Sequence, residues 1–502
     1  MHSITFILAF NSCAPAMGSV TLTQTSSLMV PGGAEISSFD PTANTLYTIG
    51  PLGIFVTRID EHGALSFVTQ LSEQLPGSWE PTSIAVDPRG RGFMAVSWIP
   101  SPGDLLPGLV QILDTESGET VTTFPAGYHP DCIAFTPDGS SLLIANECEP
   151  GISDRPGALT VIDLRGVTDA ADLRTTPPSQ TFDFSESNRS PGVTLDGLRI
   201  TSTLVGTPEI DIEPEYLAPT NDGVWVSLQE NNALAYFDLR LREWSQISPL
   251  QPISMPFDGS DTDGITITTH AGFLMMPQPD TINSIRISGH EYLVLANEGE
   301  SGDLDMIPLS EALAAGIIDP ALVDTLHASY SDHQLDNLMN LRISVIDGDL
   351  DHDGDLDRLM IAGARGFAIH DAQDGTQIWN SGSQFERITG LRFPDRYNNG
   401  DSRSDQSGPE PEGIALGKLG DRTLAFVGLE RTDAVMMYDI SNPSSPIFLD
   451  AVPLNASCGR PEGLSYFTIG QNHFLSISSE AGGCISIYRV QDTATTTADL
   501  TE

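Results

Sequence analysis

The sequence predicts an all-β fold, a β-propeller, from three observations. Short strand-like apolar runs recur along the 502 residues between Asp-Gly, Pro-Asp, Gly-Gly and Asn-Pro turn signals, whereas helical periodicity is scarce. Several runs end in glutamate, and most of these precede a second run that ends near an aspartate. An acid that follows a proline lies upstream of each such glutamate at a nearly constant spacing, which indicates a structural repeat. A repeat of about four short strands is typical of one propeller blade.

Five copies define the repeat. The post-proline acid and the glutamate are 16, 15, 18, 18 and 18 residues apart in the pairs Asp131 and Glu147, Glu215 and Glu230, Asp280 and Glu298, Glu412 and Glu430, and Glu462 and Glu480. Repeat units start near Glu35, Pro81, Asp131, Glu215, Asp280, Asn340, Glu412 and Glu462. We therefore predict eight blades, with seven as the alternative if the fifth and sixth units form one irregular blade. An array of β-sandwiches is the other architecture considered.

The domain organisation follows from the repeat. The last unit has three clear strands, and residues 20–24 form an unassigned one, so we predict that this N-terminal strand closes the ring and leaves no long open edge. One propeller domain then spans residues 19–492, with a partly helical insertion at 299–340 and a disordered tail at 493–502. The apolar N-terminus, followed by Ala14 and Ala16, predicts a signal peptide at 1–18, hence extracellular or periplasmic export. Lipidation at Cys13 or an ordinary apolar N-terminus are the alternatives.

The cysteine count predicts disulfides, and the net charge excludes some classes of binding partner. Four cysteines remain after the signal peptide, and we predict the disulfides Cys132–Cys148 and Cys458–Cys484, with free buried thiols as the alternative. The chain has 68 acidic and 23 basic side chains, a net charge of −45. This excess excludes a general nucleic-acid binder and disfavours adsorption to anionic membranes. No later stretch is apolar enough to span a bilayer. We expect a monomer that attracts cations.

The repeat acids are predicted to meet at one opening of the central channel. Strands in a blade are antiparallel, so the start of strand one and the end of strand two lie on the same face. Ten carboxylates would therefore surround one mouth, joined by Glu213 and Glu410. Two carboxylates about 4 Å apart repel by about 4 kcal/mol at an effective dielectric of about 20. Bound cations, shared protons or basic groups must offset this, and calcium suits oxygen ligands. Solvated loop acids or turn caps are the alternative interpretation.

Basic residues are few, and several belong to the same face. Arg403, Arg431 and Arg460 flank the repeat acids of the last two units. Arg365 occupies the equivalent turn of the sixth unit, and His129 precedes Pro130. Arginine beside cation-loaded carboxylates predicts a receptor for phosphate or another oxyanion. Salt bridges that relieve acidic repulsion are the alternative.

A second acidic motif predicts a structural calcium loop. Acids alternate along residues 349–357, with Gly354 at the sixth position, as in the first half of a calcium-binding loop. Met360 replaces the glutamate expected at the twelfth position, which excludes an EF-hand. We expect this loop between strands one and two of its blade, on the face opposite the mouth. Residues 258–264 are a weaker version of the pattern. The predicted loop ligands are Asp349, Asp351, Asp353, Asp355 and Asp357.

These residues resemble the choice-of-anchor I family, secreted propeller proteins with various surface-anchoring signals. The resemblance spans about residues 20–490 and rests on 211–216 (DIEPEY), 228–232 (LQENN), 296–300 (ANEGE) and the 349–357 loop. Its most specific part runs from 408–413 (GPEPEG) to 426–431 (FVGLER). Some relatives carry alkaline-phosphatase or phytase-like labels, so the resemblance implies calcium-dependent phosphoesterase activity. The chain ends without a sorting motif or hydrophobic tail, so we do not expect a C-terminal anchor.

Two functions follow from the sequence. The first is an extracellular calcium-binding propeller that acts in adhesion or ligand binding without turnover. The second is a metal-dependent phosphoric ester hydrolase, in which calcium ions at the mouth bind phosphate and activate water. Arg431, Arg460 and Arg403 would stabilise the transferring group, and Glu430 or Glu480 would assist proton transfer.

Overall fold

A computed structural model of the chain describes residues 20–492, except 72–74, 76, 102–105, 149–154, 176–177, 202–206 and 300–304. The described residues form seven four-stranded antiparallel sheets that follow one another around a ring. The all-β propeller predicted from the repeat is therefore confirmed. The predicted signal peptide (1–18) and tail (493–502) lie outside these residues.

The first four blades run without interruption along the chain. Blade one consists of β2 (Ser37–Asp40), β3 (Thr45–Gly50), β4 (Gly53–Ile59) and β5 (Leu65–Leu71), and blade two of β6 (Trp79–Val86), β7 (Phe93–Pro100), β8 (Leu109–Asp114) and β9 (Thr120–Pro125). Blade three consists of β10 (Pro130–Phe135), β11 (Ser141–Asn146), β12 (Ala158–Asp163) and β13 (Gln180–Asp183), and blade four of β14 (Leu217–Pro219), β15 (Gly223–Leu228), β16 (Ala233–Asp238) and β17 (Glu243–Pro249).

The remaining blades carry the irregular features. After β18 (Phe273–Met275), blade five begins with β19 (Pro279–Ile287) and β20 (His290–Asn297) and is completed by β24 (Gly366–Asp371) and β25 (Gln377–Asn380). Blade six consists of β26 (Pro411–Leu419), β27 (Arg422–Leu429), β28 (Ala434–Asp439) and β29 (Ile447–Pro453). Blade seven joins β30 (Pro461–Ile469), β31 (Asn472–Ser479) and β32 (Cys484–Asp492) to the N-terminal strand β1 (Val20–Met29).

The count of eight blades was wrong, and the alternative of seven fits. The unit that was expected to begin near Asn340 is not a blade, because β24 pairs with β20 and so supplies the third strand of blade five. The N-terminal closure is confirmed, since β1 pairs antiparallel with β32 from Val20 to Met29.

Apolar side chains pack between each pair of adjacent blades. The middle strands are buried on both faces, as in β3, β15 and β27. Within the described residues, seven hydrophobic clusters each join two neighbours around the ring. One of them packs Phe467 and Phe474 of blade seven against Leu46 and Phe55 of blade one. This contact stabilises the ring closure in addition to the strand pairing.

The long connections lie on one face of the ring. Antiparallel pairing puts the links between strands two and three, and those between blades, on the face where each first strand begins. The segments 184–216, 250–278, 298–365 and 381–410 are such links. They contain β21 (Met306–Pro308), α1 (Leu309–Ala315), α2 (Pro320–Ser329), α3 (Asp332–Asn337), β22 (Arg342–Ser344), β23 (Leu359–Ile361) and α4 (Gln384–Arg392).

Two of these segments form a cap with its own core. β18 and β23 pair in parallel, β21 and β22 pair antiparallel, and the helices α1–α3 pack on a shared apolar cluster. Buried Arg199 ties the cap to blade four, because its guanidinium contacts Asp305 and Asp347 of the cap and the Glu230 carbonyl. No helix among the described residues has the length and apolar character needed to cross a bilayer.

Candidate functional site

A β-bulge lies at four of the five post-proline acids, and the fifth, Glu215, precedes β14. The pairing of strands one and two shifts between Pro130 and Cys132, and equivalent shifts follow the first proline of β19, β26 and β30. The residue inside the bulge is Asp131, Asp280, Glu412 or Glu462, so its side chain is released from the regular alternation of the strand.

The residue before each of these prolines has an unusual backbone conformation. His129, Gln278, Glu410 and Arg460 have φ values of 45°, 43°, 45° and 56°, in the left-handed region. This region is costly for residues other than glycine, and a following proline restricts the backbone further. The same strained backbone conformation therefore recurs at the same position in blades three, five, six and seven.

The second set of repeat acids ends strand two, as predicted. Glu147, Glu298, Glu430 and Glu480 directly follow β11, β20, β27 and β31, and Glu230 lies two residues beyond β15. The structure brings the ten repeat acids into one electrostatic cluster. Glu215 lies within range of Glu230, Asp280, Glu147 and Asp131, while Glu412 lies within range of Glu462, Glu298 and Glu430, and Glu462 is close to Glu480.

Two further acids complete the opening. A mouth cavity of about 310 Å³ is lined by Glu35 and Glu80 together with Asp131, Glu462 and Glu480. Glu35 was the start of a repeat unit in the sequence, and Glu80 precedes Pro81 as Glu213 and Glu410 precede their prolines. That shared pattern was the signal that could have identified them. Tyr216 lines this cavity and also the narrower channel of about 190 Å³ beneath it.

Crowding of carboxylates in a half-buried site raises their pKa values. Burial, followed by repulsion from neighbouring acids, raises the pKa of Glu35 to about 7. Burial likewise raises the pKa of Glu462 to about 7, and it holds the pKa values of Glu215, Asp280 and Glu412 well above their ordinary range. One oxygen each of Glu215 and Glu412 is buried without a hydrogen-bond partner among the described residues.

Basic groups compensate one half of the mouth. Arg431 binds Glu410 at 2.5 Å and Glu430 at 2.6 Å, and Arg403 binds the other oxygen of Glu410 at 2.6 Å. Arg460 lies 3.7 Å from Glu430. Burial still raises the pKa of Glu430 to about 7, although Arg431 opposes the shift.

The other half of the mouth has less compensation. There His129 lies 3.4 Å from Glu147, and the side chains of blades three to five add Asp131, Glu215 and Asp280. Arg365 does not help either half, because it is fully buried in an ion pair with Glu386. Arg365 directly precedes β24 in the link between strands two and three of blade five, and does not lie at a turn of a separate sixth unit as expected.

A cavity of about 250 Å³ lies beside the compensated half. Its lining combines three basic and three acidic residues with Asn399 and Gly400, and the charged residues are Arg396, Arg431, Arg460, Asp395, Glu430 and Asp433. Arg403 is not among the lining residues, and its guanidinium binds Glu410 and Gln406. Arg396 donates to the Leu454 carbonyl at 2.7 Å. Sequence reasoning missed Arg396 because it comes from the link between α4 and β26, outside the repeat.

Two groups of mouth residues have the spacing of metal ligands. His129, Asp131 and Glu147 each offer an atom within 4.8 Å of the others, and so do Glu298, Glu410 and Glu430. The second group fits a cation less well, since both Glu410 oxygens already accept from arginine. The first group, beside Glu215 with its unpartnered oxygen, fits the oxygen-rich coordination of calcium better.

The predicted calcium loop lies on the mouth face, not on the opposite one. Residues 349–357 belong to the link between β20 and β24, which are strands two and three of blade five. The loop acids form two groups of potential ligands, one with Asp349, Asp351 and Asp353 and one in which Asp355 and Asp357 meet Asp319. Asp319 is the N-cap of α2, so the second group joins the loop to a helix.

One predicted disulfide is present and the other was wrong. Cys458 and Cys484 are bonded, with 5.5 Å between their Cα atoms. Cys132 and Cys148 are free and buried. The bulge after Pro130 aligns Cys132 with Ala145, whereas Cys148 lies beyond Asn146, where the strand pairing ends. Cys132 instead packs in the core between blades three and four.

Comparison with known proteins identifies relatives of parts of the chain. A family model for the choice-of-anchor I domain matches residues 35–443. Gigasin-3a of Magallana gigas is 31% identical over 126 residues, which cover 23% of this chain and 44% of that protein. Mesenchyme-specific cell surface glycoprotein of Strongylocentrotus purpuratus is 25% identical over 232 residues, which cover 39% and 30%. The chain thus spans less than half the length of these curated relatives.

Two solved structures match the chain at low sequence identity. A chain of the mitotic checkpoint complex has a TM-score of 0.50 and 11% identity, and the match covers 97% of this chain and 100% of that one. A chain of Kuenenia stuttgartiensis hydrazine synthase has a TM-score of 0.48 and 12% identity, with the same coverage. The first likeness shows the fold alone.

Proposed function

Because the chain belongs to the choice-of-anchor I family, we propose that it is an exported propeller whose acidic channel mouth binds calcium and thereby an extracellular ligand. The single observation that supports this most is the concentration of carboxylates from several blades at one opening, where the ion pairs of Arg403, Arg431 and Arg460 involve Glu410 and Glu430. Glu215 and Asp280 are more than nine-tenths buried there. A buried carboxylate without a counter-charge must take up a proton or a cation.

The cation is expected on the side of blades three to five. Asp131, Glu147 and His129 supply closely spaced ligand atoms, and Glu215 supplies a buried oxygen without a hydrogen-bond partner in the described part of the chain. The loop acids Asp349, Asp351 and Asp353 are a second, structural position for calcium, and Asp355 and Asp357 extend it toward Asp319. One curated relative is named a cell surface glycoprotein, which agrees with an extracellular role in ligand binding or adhesion.

Isothermal titration at neutral pH tests this proposal. Calcium is titrated into the wild-type chain and into Glu215→Gln, with Glu116→Gln as the matched control because Glu116 is an exposed turn residue. We expect at least one calcium equivalent to be lost in Glu215→Gln and none in the control. Equal binding by all three proteins would refute a calcium site at the mouth.

The cavity beside Glu430 favours a second candidate function, phosphomonoester hydrolysis. Arg396, Arg431 and Arg460 would hold the phosphoryl oxygens there, as arginine forks do in other phosphate sites. Glu430, whose pKa is about 7, can donate a proton to the leaving alkoxide near neutral pH. Calcium at the mouth would supply Lewis-acid activation of phosphate and water. Glu480 and Arg403 stay predictions for this role, although Arg403 lies outside the cavity.

Activity assays separate the two candidates. The purified protein is assayed with p-nitrophenyl phosphate and with phytate, in calcium and then in chelator. Calcium-dependent turnover that is abolished in Glu430→Gln but retained in Glu116→Gln would establish a hydrolase. Calcium binding without turnover of either ester would leave the ligand-binding function.

A further inference from the structure

A second buried polar centre lies away from the mouth, between the links that precede blades five and six. It consists of Arg365, Asp258, Glu386 and Tyr397, which are all fully buried, and of the loop 398–405. Arg365 binds Glu386 at 2.8 Å and donates to the Asp258 and Ser404 carbonyls at 2.5 and 2.9 Å. The Asp258 amide donates to the same Glu386 oxygen at 3.3 Å.

The centre carries more negative than positive charge. Asp401 and Asp405 from the second link lie within electrostatic range of Asp261, and Asp401 is also close to Asp263 and Asp258. Four carboxylates, those of Asp258, Glu386, Asp401 and Asp405, therefore share the positive charge of Arg365. Asp261 and Asp263 add two exposed carboxylates at the rim.

Unpartnered oxygens provide an independent observation. Asn398 is fully buried, yet its Oδ1 has no hydrogen-bond partner among the described residues, while its Nδ2 donates to Ser404 at 3.0 Å. Ser404 in turn donates to Asp401 at 2.8 Å. Glu386 Oε2 and Asp405 Oδ1 are buried and likewise lack partners within the described ranges. Buried polar atoms without partners are rare and indicate an ion or water.

We propose that residues 258–263 and 398–405 form a calcium-type cation site that joins the two links. The occupant is assigned by chemistry, because carboxylate, amide and hydroxyl oxygens are the ligands that calcium prefers. Asp258, Ser260 and Thr262 alternate along the first loop, and the Ser260 and Thr262 hydroxyls are 3.0 Å apart. The site lies outside the mouth, so it is independent of the proposed function.

The site would hold in place the segment that supplies basic groups to the mouth. The link 381–410 carries Arg396, Arg403 and Glu410, and residues 398–405 follow Arg396 and include Arg403. The backbone N–H of Asn399 also donates to the backbone carbonyl of Arg431 at 2.5 Å. Removal of the cation is therefore expected to loosen the compensated half of the mouth without touching the acids of blades three to five.

Hydrogen exchange with and without calcium tests this inference locally. At free calcium of about 100 times Kd, amides of 258–266 and 398–405 that exchange by local opening should be protected about 100-fold in the wild type. The protection should be lost in Asp261→Asn/Asp401→Asn, whose replaced side chains are not fully buried, and kept in the exposed control Asp324→Asn. It should also be kept in Glu215→Gln and in Asp351→Asn/Asp353→Asn, which separates this site from the other two positions.

Two results would overturn the inference. One is wild-type protein whose 258–266 and 398–405 amides exchange equally fast with and without calcium. The other is full protection in Asp261→Asn/Asp401→Asn. If that double variant does not fold, Asp261→Asn alone decides, because its exposed side chain can be replaced without disturbing the core. The calcium concentration that gives half of the full protection must then rise at least threefold in Asp261→Asn, and an unchanged concentration refutes the site.

Discussion

Replacement of Glu462 by glutamine removes one mouth carboxylate while keeping its shape. Glu462 lines the mouth cavity and the channel, and burial raises its pKa from 4.5 to about 7. At about 1.4 kcal/mol per pH unit, this difference corresponds to about 3 kcal/mol. Because the folded state holds the proton more tightly than the unfolded state, stability is present below about pH 4.5 and is lost as the pH rises to about 7.

The wild type in calcium-free buffer should therefore lose about 3 kcal/mol more than Glu462→Gln between pH 4.5 and 8. The variant should match the wild type at pH 4.5 and be more stable at pH 8. Urea titrations followed by tryptophan fluorescence measure this difference, with Glu116→Gln as the exposed control. Addition of calcium at pH 8 should stabilise the wild type more than the variant. A variant that keeps the wild-type pH dependence, or that is less stable at pH 8, would refute the reasoning.

Two further predictions concern the disulfide and the cap. Replacement of Cys458 and Cys484 by serine should lower the free energy of unfolding in urea by about 3 kcal/mol, because the disulfide closes a loop of 26 residues. In the native protein, Cys132 and Cys148 should not react with a thiol reagent, because burial raises their pKa values to about 12 and about 11. An unchanged urea midpoint or rapid labelling would contradict this. Arg199→Met should cost about 3–5 kcal/mol, because it leaves buried Asp305 and partly buried Asp347 without their guanidinium partner. The same variant should speed proteolysis within 305–347, whereas the exposed control Arg240→Met should change neither stability nor proteolysis.

Repeat spacing predicted much of the site because it encodes position within a blade. In antiparallel strands of fixed length, Asp131 and Glu147 must end on the same face, and so must Glu412 and Glu430. The same rule located Asp280 with Glu298 and Glu462 with Glu480. It does not locate residues outside the repeat, and therefore Arg396 and the Asp258 centre were invisible or weak in the sequence.

Long-range pairing explains the predictions that were wrong. The run at 359–362 has the composition of a blade strand, but β23 pairs in parallel with β18 inside the cap, and β24 returns to β20. Because residues 340–365 do not begin a separate blade, the 349–357 loop connects strands two and three of blade five and therefore lies on the mouth face. For Cys132, a single bulge decides which way the thiol points, and no spacing rule shows a bulge.

The sequence by itself determined the all-β class, the closure by β1 and the gathering of the repeat acids, because each depends on alternation and spacing along the chain. The tertiary structure alone decided the number of blades, the partners of Arg365 and Arg431 and the fate of Cys132 and Cys148. These depend on contacts between residues far apart in sequence, whose energies are settled by packing and charge compensation in three dimensions rather than by local pattern.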